Sequence, residues 1–257
     1  MPDFRRMGEY SLRKVGEGAE SEVFGVRNKA QGEKVEKGLV LKNMAGVGED
    51  LSWHPDQATW KIDEHGFDDN YKRLFAEHRQ KLASEYGDII AQSRFIQNPD
   101  HPDHHLIAQE RIDLADPAGV DEYYPVDVED EALQQKLTEF VEKVKKNMTA
   151  SLANQPAIIP DLANHNLVFN RDLTRIAYID SGLHESVNIK DDTVLHVARL
   201  AMLGGASVEV IKQDSFYMKS LARFPELADI DDVHDFYSAL LDAEKRAEDE
   251  DMNEVHV

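Results

Sequence analysis

The sequence predicts an α+β fold in two lobes, a small β-rich lobe with one main helix followed by a reduced helical lobe. Three observations predict it. Residues 11–42 carry three short alternating or apolar runs separated by glycine-rich turns. Residues 129–153 carry a long amphipathic pattern, and the chain beyond 190 reads as helix to its end. The 257-residue length suits one large domain or two lobes.

The elements follow in order. Segment 11–15 leads into GEGAE, 22–27 alternates, and 38–42 (GLVLK) is an apolar run ending on lysine. Segment 44–66 is irregular, punctuated by Gly46, Gly48, Pro55 and Gly66. Phe67, Tyr71, Leu74, Phe75 and Leu82 recur at helical spacing over 67–86, and Gly87 stops that helix. Strands over 89–96 and 106–112 are joined by the hydrophilic NPDHPDHH turn. Leu133, Leu137, Phe140, Val141, Val144 and Met148 form one face of the 129–153 helix. Two short strands follow at 167–169 and 176–179. The lobes are expected to span 1–112 and 113–243, with 244–257 a charged, fraying or disordered tail.

Composition narrows the function. Lys and Arg total 29 against 50 Asp and Glu, a formal net charge of -21. Nucleic-acid binding needs clustered cations to neutralise phosphate, and anionic membranes need the same, so both are disfavoured. A basic protein partner for the acidic surface is compatible with that charge. The chain has no cysteine, which excludes disulfides, thiolate catalysis and Cys-ligated zinc. No apolar run approaches the roughly 18 residues of a membrane span, and MPDFRRMGEYSL is not a secretory signal. The expectation is a cytoplasmic protein, or a secreted effector without a classical signal peptide.

The chemistry concentrates in 159–183, IPDLANHNLVFNRDLTRIAYIDSGL. Asp161 is followed five residues later by Asn166 and, fourteen beyond that, by Asp180-Ser181-Gly182. Two strand-like segments lie between Asn166 and Asp180, so the three polar side chains can converge at the ends of a hairpin. Phosphoryl transfer from ATP needs such a set. One carboxylate orients or deprotonates the attacking hydroxyl, while a carboxylate and an amide hold metal ions on the phosphates.

This stretch resembles the catalytic loop and metal-binding motif of the protein-kinase-like superfamily, HRDLxxxN followed by DFG. The first half adds matches in the same order. Gly16, Gly18, Ser21 and Val23 in GEGAESEV look like the glycine-rich loop, with Ser21 in place of the third glycine. Lys42 in VLK is similar to the lysine that contacts the α and β phosphates; taken without the other motifs it reads first as a solvated strand end. The resemblance implies a helix glutamate paired with that lysine, Glu77 first and Glu85 second. It places Gln109 at the gatekeeper position, Glu110 and Ile112 at the adenine edge, and Val168 beneath the base. An ordinary core position is the other reading of Val168.

Departures from the family pattern carry consequences. Ile159-Pro160 replaces His-Arg, removing the usual partner of a phosphorylated activation loop. Ser181 replaces the DFG phenylalanine, and Asp192 follows Asp180 by only twelve positions, with no APE motif. Small bacterial effector kinases and small-molecule kinases of the aminoglycoside and choline type economise in the same place.

The resemblance implies an ATP- and Mg2+ (or Mn2+)-dependent phosphotransferase, with catalytic Asp161, Lys42 and Glu77 and metal-holding Asn166 and Asp180. A Ser/Thr-protein kinase acting on a protein substrate comes first. A kinase for a small hydroxyl-bearing molecule, or a nucleotide-binding pseudokinase serving as an interaction module, are the alternatives.

Weaker features have plainer readings. Asp100, His101, Asp103, His104 and His105 could ligate a metal but read as a polar turn. Asn147-Met-Thr149 fits a glycosylation sequon but falls within a helix pattern. The acidic run 229–235 fits no calcium loop and reads as a helix start.

Overall fold

The computed structural model describes residues 10–17, 22–28, 35–43, 50–54, 59–63, 69–97, 105–113, 128–162, 166–180 and 189–254. The fold class is α+β, as expected: a small antiparallel sheet with one main helix, then a helical unit. The chain clusters into two compact units. One draws on Met1–Lys81 and Ile90–Ile112; the other on Leu82–Ile89, Asp113–Asp180 and His184–Val257.

The first unit is built on strands β1 (Tyr10–Glu17), β2 (Glu22–Asn28), β3 (Val35–Asn43), β6 (Ser93–Gln97) and β7 (His105–Glu110). They form one antiparallel sheet in the order β1-β2-β3-β7-β6. Segment 44–66, expected to be irregular, contains a hairpin of β4 (Asp50–His54) and β5 (Thr59–Asp63), with Trp53 opposite Trp60. Each strand is only five residues long, too short for its alternation to stand out against the surrounding punctuation.

Helix α1 (Asp69–Tyr86) meets the sheet at β6 through its apolar row. Phe75 meets the Phe95 ring edge-on at 4.7 Å between centroids. Arg79, one turn on, is buried in the same row, and its guanidinium donates to the Ala91 carbonyl. A charged side chain occupies a core position there because its donors are satisfied by backbone.

In the second unit, α2 (Glu131–Leu152) buries the predicted face: Leu133, Leu137, Phe140, Val141, Val144 and Met148. Asp130 caps it, accepting from the Leu133 amide at 2.8 Å. Strands β8 (Leu167–Phe169) and β9 (Ile176–Tyr178) form a short hairpin, buried at all six positions. Helix α3 (Asp191–Leu203) is buried from Val194 through Leu203 and packs on α2, α5 (Ser215–Leu221) and α6 (Val233–Glu254). A short α4 (Val208–Gln213) lies between α3 and α5.

The tail expectation is corrected. Helix α6 continues through Glu254, and within 244–254 both Glu244 and Ala247 are core residues. Charge density concealed this, because the one buried carboxylate is neutralised by partners on α3 rather than by neighbours in sequence.

Candidate functional site

In the first unit, the sheet register aligns several predicted positions. Gly16 lies opposite Val23, Val23 opposite Lys42, Lys42 opposite Ile107, and Ile107 opposite Phe95. Directly opposed residues of an antiparallel sheet share a face. Val23 and Lys42 therefore sit on the face where Phe95 meets α1. Gly18 and Ser21 lie outside the described residues.

Gln109 occupies the same face two residues along β7 from Ile107 and is buried. The amide of Glu110 donates to the Gln92 carbonyl at 2.8 Å. Ile112 lies just beyond the strand, half-buried.

Glu77 does not take the orientation expected of a lysine partner. It follows Phe75 by two residues, about 200° round the helix, so the row facing Phe95 turns it outward. Its side chain is 48% exposed and accepts from Arg73 Nη1 at 2.8 Å. Glu85, in the second unit, accepts instead from Asn147 Nδ2 at 3.2 Å.

The second unit brings the predicted chemistry together. The Asn166 side-chain amide donates to the Asp161 carbonyl at 3.3 Å, and its backbone carbonyl accepts from Ile179 N–H at 2.7 Å. The hairpin explains that closeness: Leu167 pairs with Tyr178, so the residues flanking the pair, Asn166 and Ile179, meet across its open end. Ile158, just before the loop, is held by the Tyr86 hydroxyl donating to its carbonyl at 2.7 Å.

A residue that sequence reasoning missed completes the arrangement. The Tyr178 hydroxyl accepts from the Asp161 amide at 3.3 Å and donates to Asp180 Oδ2 at 3.1 Å. Tyr178 is 1% exposed. Burial, reinforced by the Asp180 and Asp161 carboxylates, holds its phenol far above the ordinary tyrosine range, so the group keeps its proton and stays a donor. The only sequence signal was a tyrosine within a strand otherwise made of Ile and Ala.

The donor set suits a hard cation. Asn166 is buried, and engagement of its nitrogen by Asp161 leaves the amide oxygen as its other polar atom. The Asp180 carboxylate accepts from Tyr178 through Oδ2. Among the described residues no three His, Cys, Asp or Glu side chains converge as a self-sufficient metal cage. One carboxylate and one amide oxygen match the way Mg2+ is held, with phosphate and water completing the shell.

The remaining predicted features resolve simply. Val168 is buried in β8, a placement common to both readings of it. Asn147 lies within α2 and donates to Tyr86 and Glu85. Asp232 caps the start of α6 through the amides of His234 and Asp235, which is the helix-start reading of the acidic run. The segments 98–104 and 181–188 lie outside the described residues. Among the described residues, no helix is long and apolar enough to cross a membrane.

No family model matches the chain, and no curated protein matches it. Among solved structures, an apo pseudokinase aligns over 83% of this chain and 70% of its own, at 10% identity and a TM-score of 0.38.

Proposed function

We propose that this chain is an ATP- and Mg2+-dependent phosphotransferase that transfers the γ-phosphoryl group to a hydroxyl, with serine and threonine side chains of a protein as the leading acceptors. The observation that carries the reading is the closure of Asp161, Asn166 and Asp180 around one short hairpin, within the second unit. Asp161 would orient the acceptor hydroxyl and receive its proton. Asn166 and Asp180 would hold the metal through their oxygens, and the bound cation would neutralise charge on the transferring phosphates. In the first unit, Lys42 would steady the α and β phosphates, and Gly16 and Val23 share its row. Most of the rate would come from positioning and electrostatics.

The test is γ-labelled ATP with generic protein acceptors and a panel of small hydroxyl-bearing metabolites. Label on protein supports the Ser/Thr reading, and label confined to a metabolite replaces it with a small-molecule kinase. A second reading, a nucleotide-binding pseudokinase, is favoured by Glu77, the carboxylate expected to fix Lys42, pairing with Arg73 on the exposed face of α1. An ATP-dependent rise in melting temperature with no label on any acceptor would support that reading.

A further inference from the structure

We propose that Tyr86 is a positioning residue that fixes where the loop bearing Asp161 enters the core, an inference that rests on the phosphotransfer reading above. From Leu152, at the end of α2, the chain runs exposed to Ala157, then turns inward at Ile158, and Ile159 and Pro160 are buried. The Tyr86 hydroxyl holds that point of entry by donating to the Ile158 carbonyl at 2.7 Å.

The position is passed on because the next two residues are stiff. A proline fixes its own φ and restricts the residue before it to extended backbone, so Ile159-Pro160 joins Ile158 to Asp161 with little freedom. Tyr86 thus sets the upstream end of a short rigid run. At its downstream end the Tyr178 hydroxyl and the Asn166 side chain hold the backbone of Asp161 itself.

Tyr86 is built to hold still. It is the last residue of α1, 3% exposed, and its ring meets Phe140 edge-on at 5.4 Å between centroids. Asn147 Nδ2 donates to the hydroxyl at 3.1 Å, which directs the phenolic proton toward Ile158. Burial keeps the phenol well above the ordinary tyrosine range, so it stays a donor through neutral pH. All of these residues belong to the second unit.

The test measures steady-state transfer from γ-labelled ATP by the full chain with Mg2+, using the protein or metabolite that accepts label, alongside ADP affinity and melting temperature. Tyr86→Phe removes only the hydroxyl and keeps the ring contact, and half-buried Ile158 can turn its carbonyl to water. A misplacement of about 1 Å can slow a reaction about 100-fold; with the downstream anchors intact, kcat is expected to fall about tenfold while ADP affinity is unchanged. In the Asp161→Ala background the same substitution should change the residual rate no further, because the hydroxyl acts through Asp161. Asn147→Ala keeps the hydroxyl but removes the donor that directs it, and should give a smaller loss confined to kcat.

Equal kcat in wild type and Tyr86→Phe would overturn the positioning role and leave the phosphotransfer reading standing. So would a joint loss of kcat, ADP affinity and melting temperature, or an undiminished effect in the Asp161→Ala background, either of which makes Tyr86 a core residue alone. Should Tyr86→Phe not fold, unchanged kcat in Asn147→Ala would overturn the role. No transfer by wild type to any acceptor would remove the phosphotransfer reading and this inference together.

Discussion

Arg199 Nε donates to Glu244 Oε2 at 2.7 Å, and both side chains are 2% exposed. The pair joins α3 to α6, with His196 Nδ1 at 2.9 Å from the other carboxylate oxygen and the Arg199 guanidinium lying over the Tyr237 ring. Removing one member of a buried pair strands the other charge in the core. Arg199→Met should therefore destabilise the protein by about 3–5 kcal/mol in urea unfolding. A loss below about 1 kcal/mol would mean that the surrounding groups neutralise Glu244 without it.

The same carboxylate makes stability depend on acid. Burial alone would raise the Glu244 pKa, but His196 and Arg199 outweigh it and hold the group at about 2, against 4.5 for an ordinary glutamate. The unfolded chain thus takes up a proton at this position before the folded chain does. The contribution is complete above about pH 4.5 and is lost as pH falls toward 2, amounting to about 3 kcal/mol across that window. Unfolding free energies at pH 6, 4 and 2.5 should fall more steeply in wild type than in Glu244→Gln. Parallel curves would show that Glu244 titrates alike in both states.

Gly204 ends α3 against α2 with no space for a side chain. A Cβ there would lie 2.9 Å from Thr138 Oγ1, 3.1 Å from Thr138 N and 3.3 Å from the Ala201 carbonyl. Two of those atoms are backbone and cannot swing aside. Gly204→Ala should cost about 1–3 kcal/mol by overpacking, measured as a lowered urea midpoint with unchanged m-value. An unchanged midpoint would show that α2 and α3 can separate without loss.

Glu77 supplies a prediction of small effect. Its partner is Arg73 on the exposed face of α1, a pair worth about 0.3–0.5 kcal/mol. Glu77→Ala should leave nucleotide affinity and transfer within about twofold of wild type. A tenfold or greater loss would restore Glu77 as the partner of Lys42.

The amphipathic face of α2 was legible because six apolar residues recur at helical spacing and all six are buried. The β8–β9 hairpin was legible from two apolar runs bracketing a polar turn. Glu77 turns outward because the buried row of α1 does not run through the positions beside it. The buried row actually runs Phe75, Arg79, Leu82 and Tyr86, and a buried arginine carries no hydrophobic signal. Tyr178 was invisible for the converse reason. In sequence it reads as one more apolar strand residue, and its function as a hydrogen-bond junction depends on Asp161, seventeen positions earlier. The α6 terminus was hidden by composition, since its charged residues include one that α3 neutralises in the core.

The central claim is tested most directly by γ-phosphate transfer in wild type and Asp161→Ala, with Mg2+ present and both proteins shown to melt alike. The proposed arrangement predicts transfer by wild type and a loss of at least about 100-fold in the variant, the scale of general-base and positioning effects. Equal transfer by both proteins would contradict it.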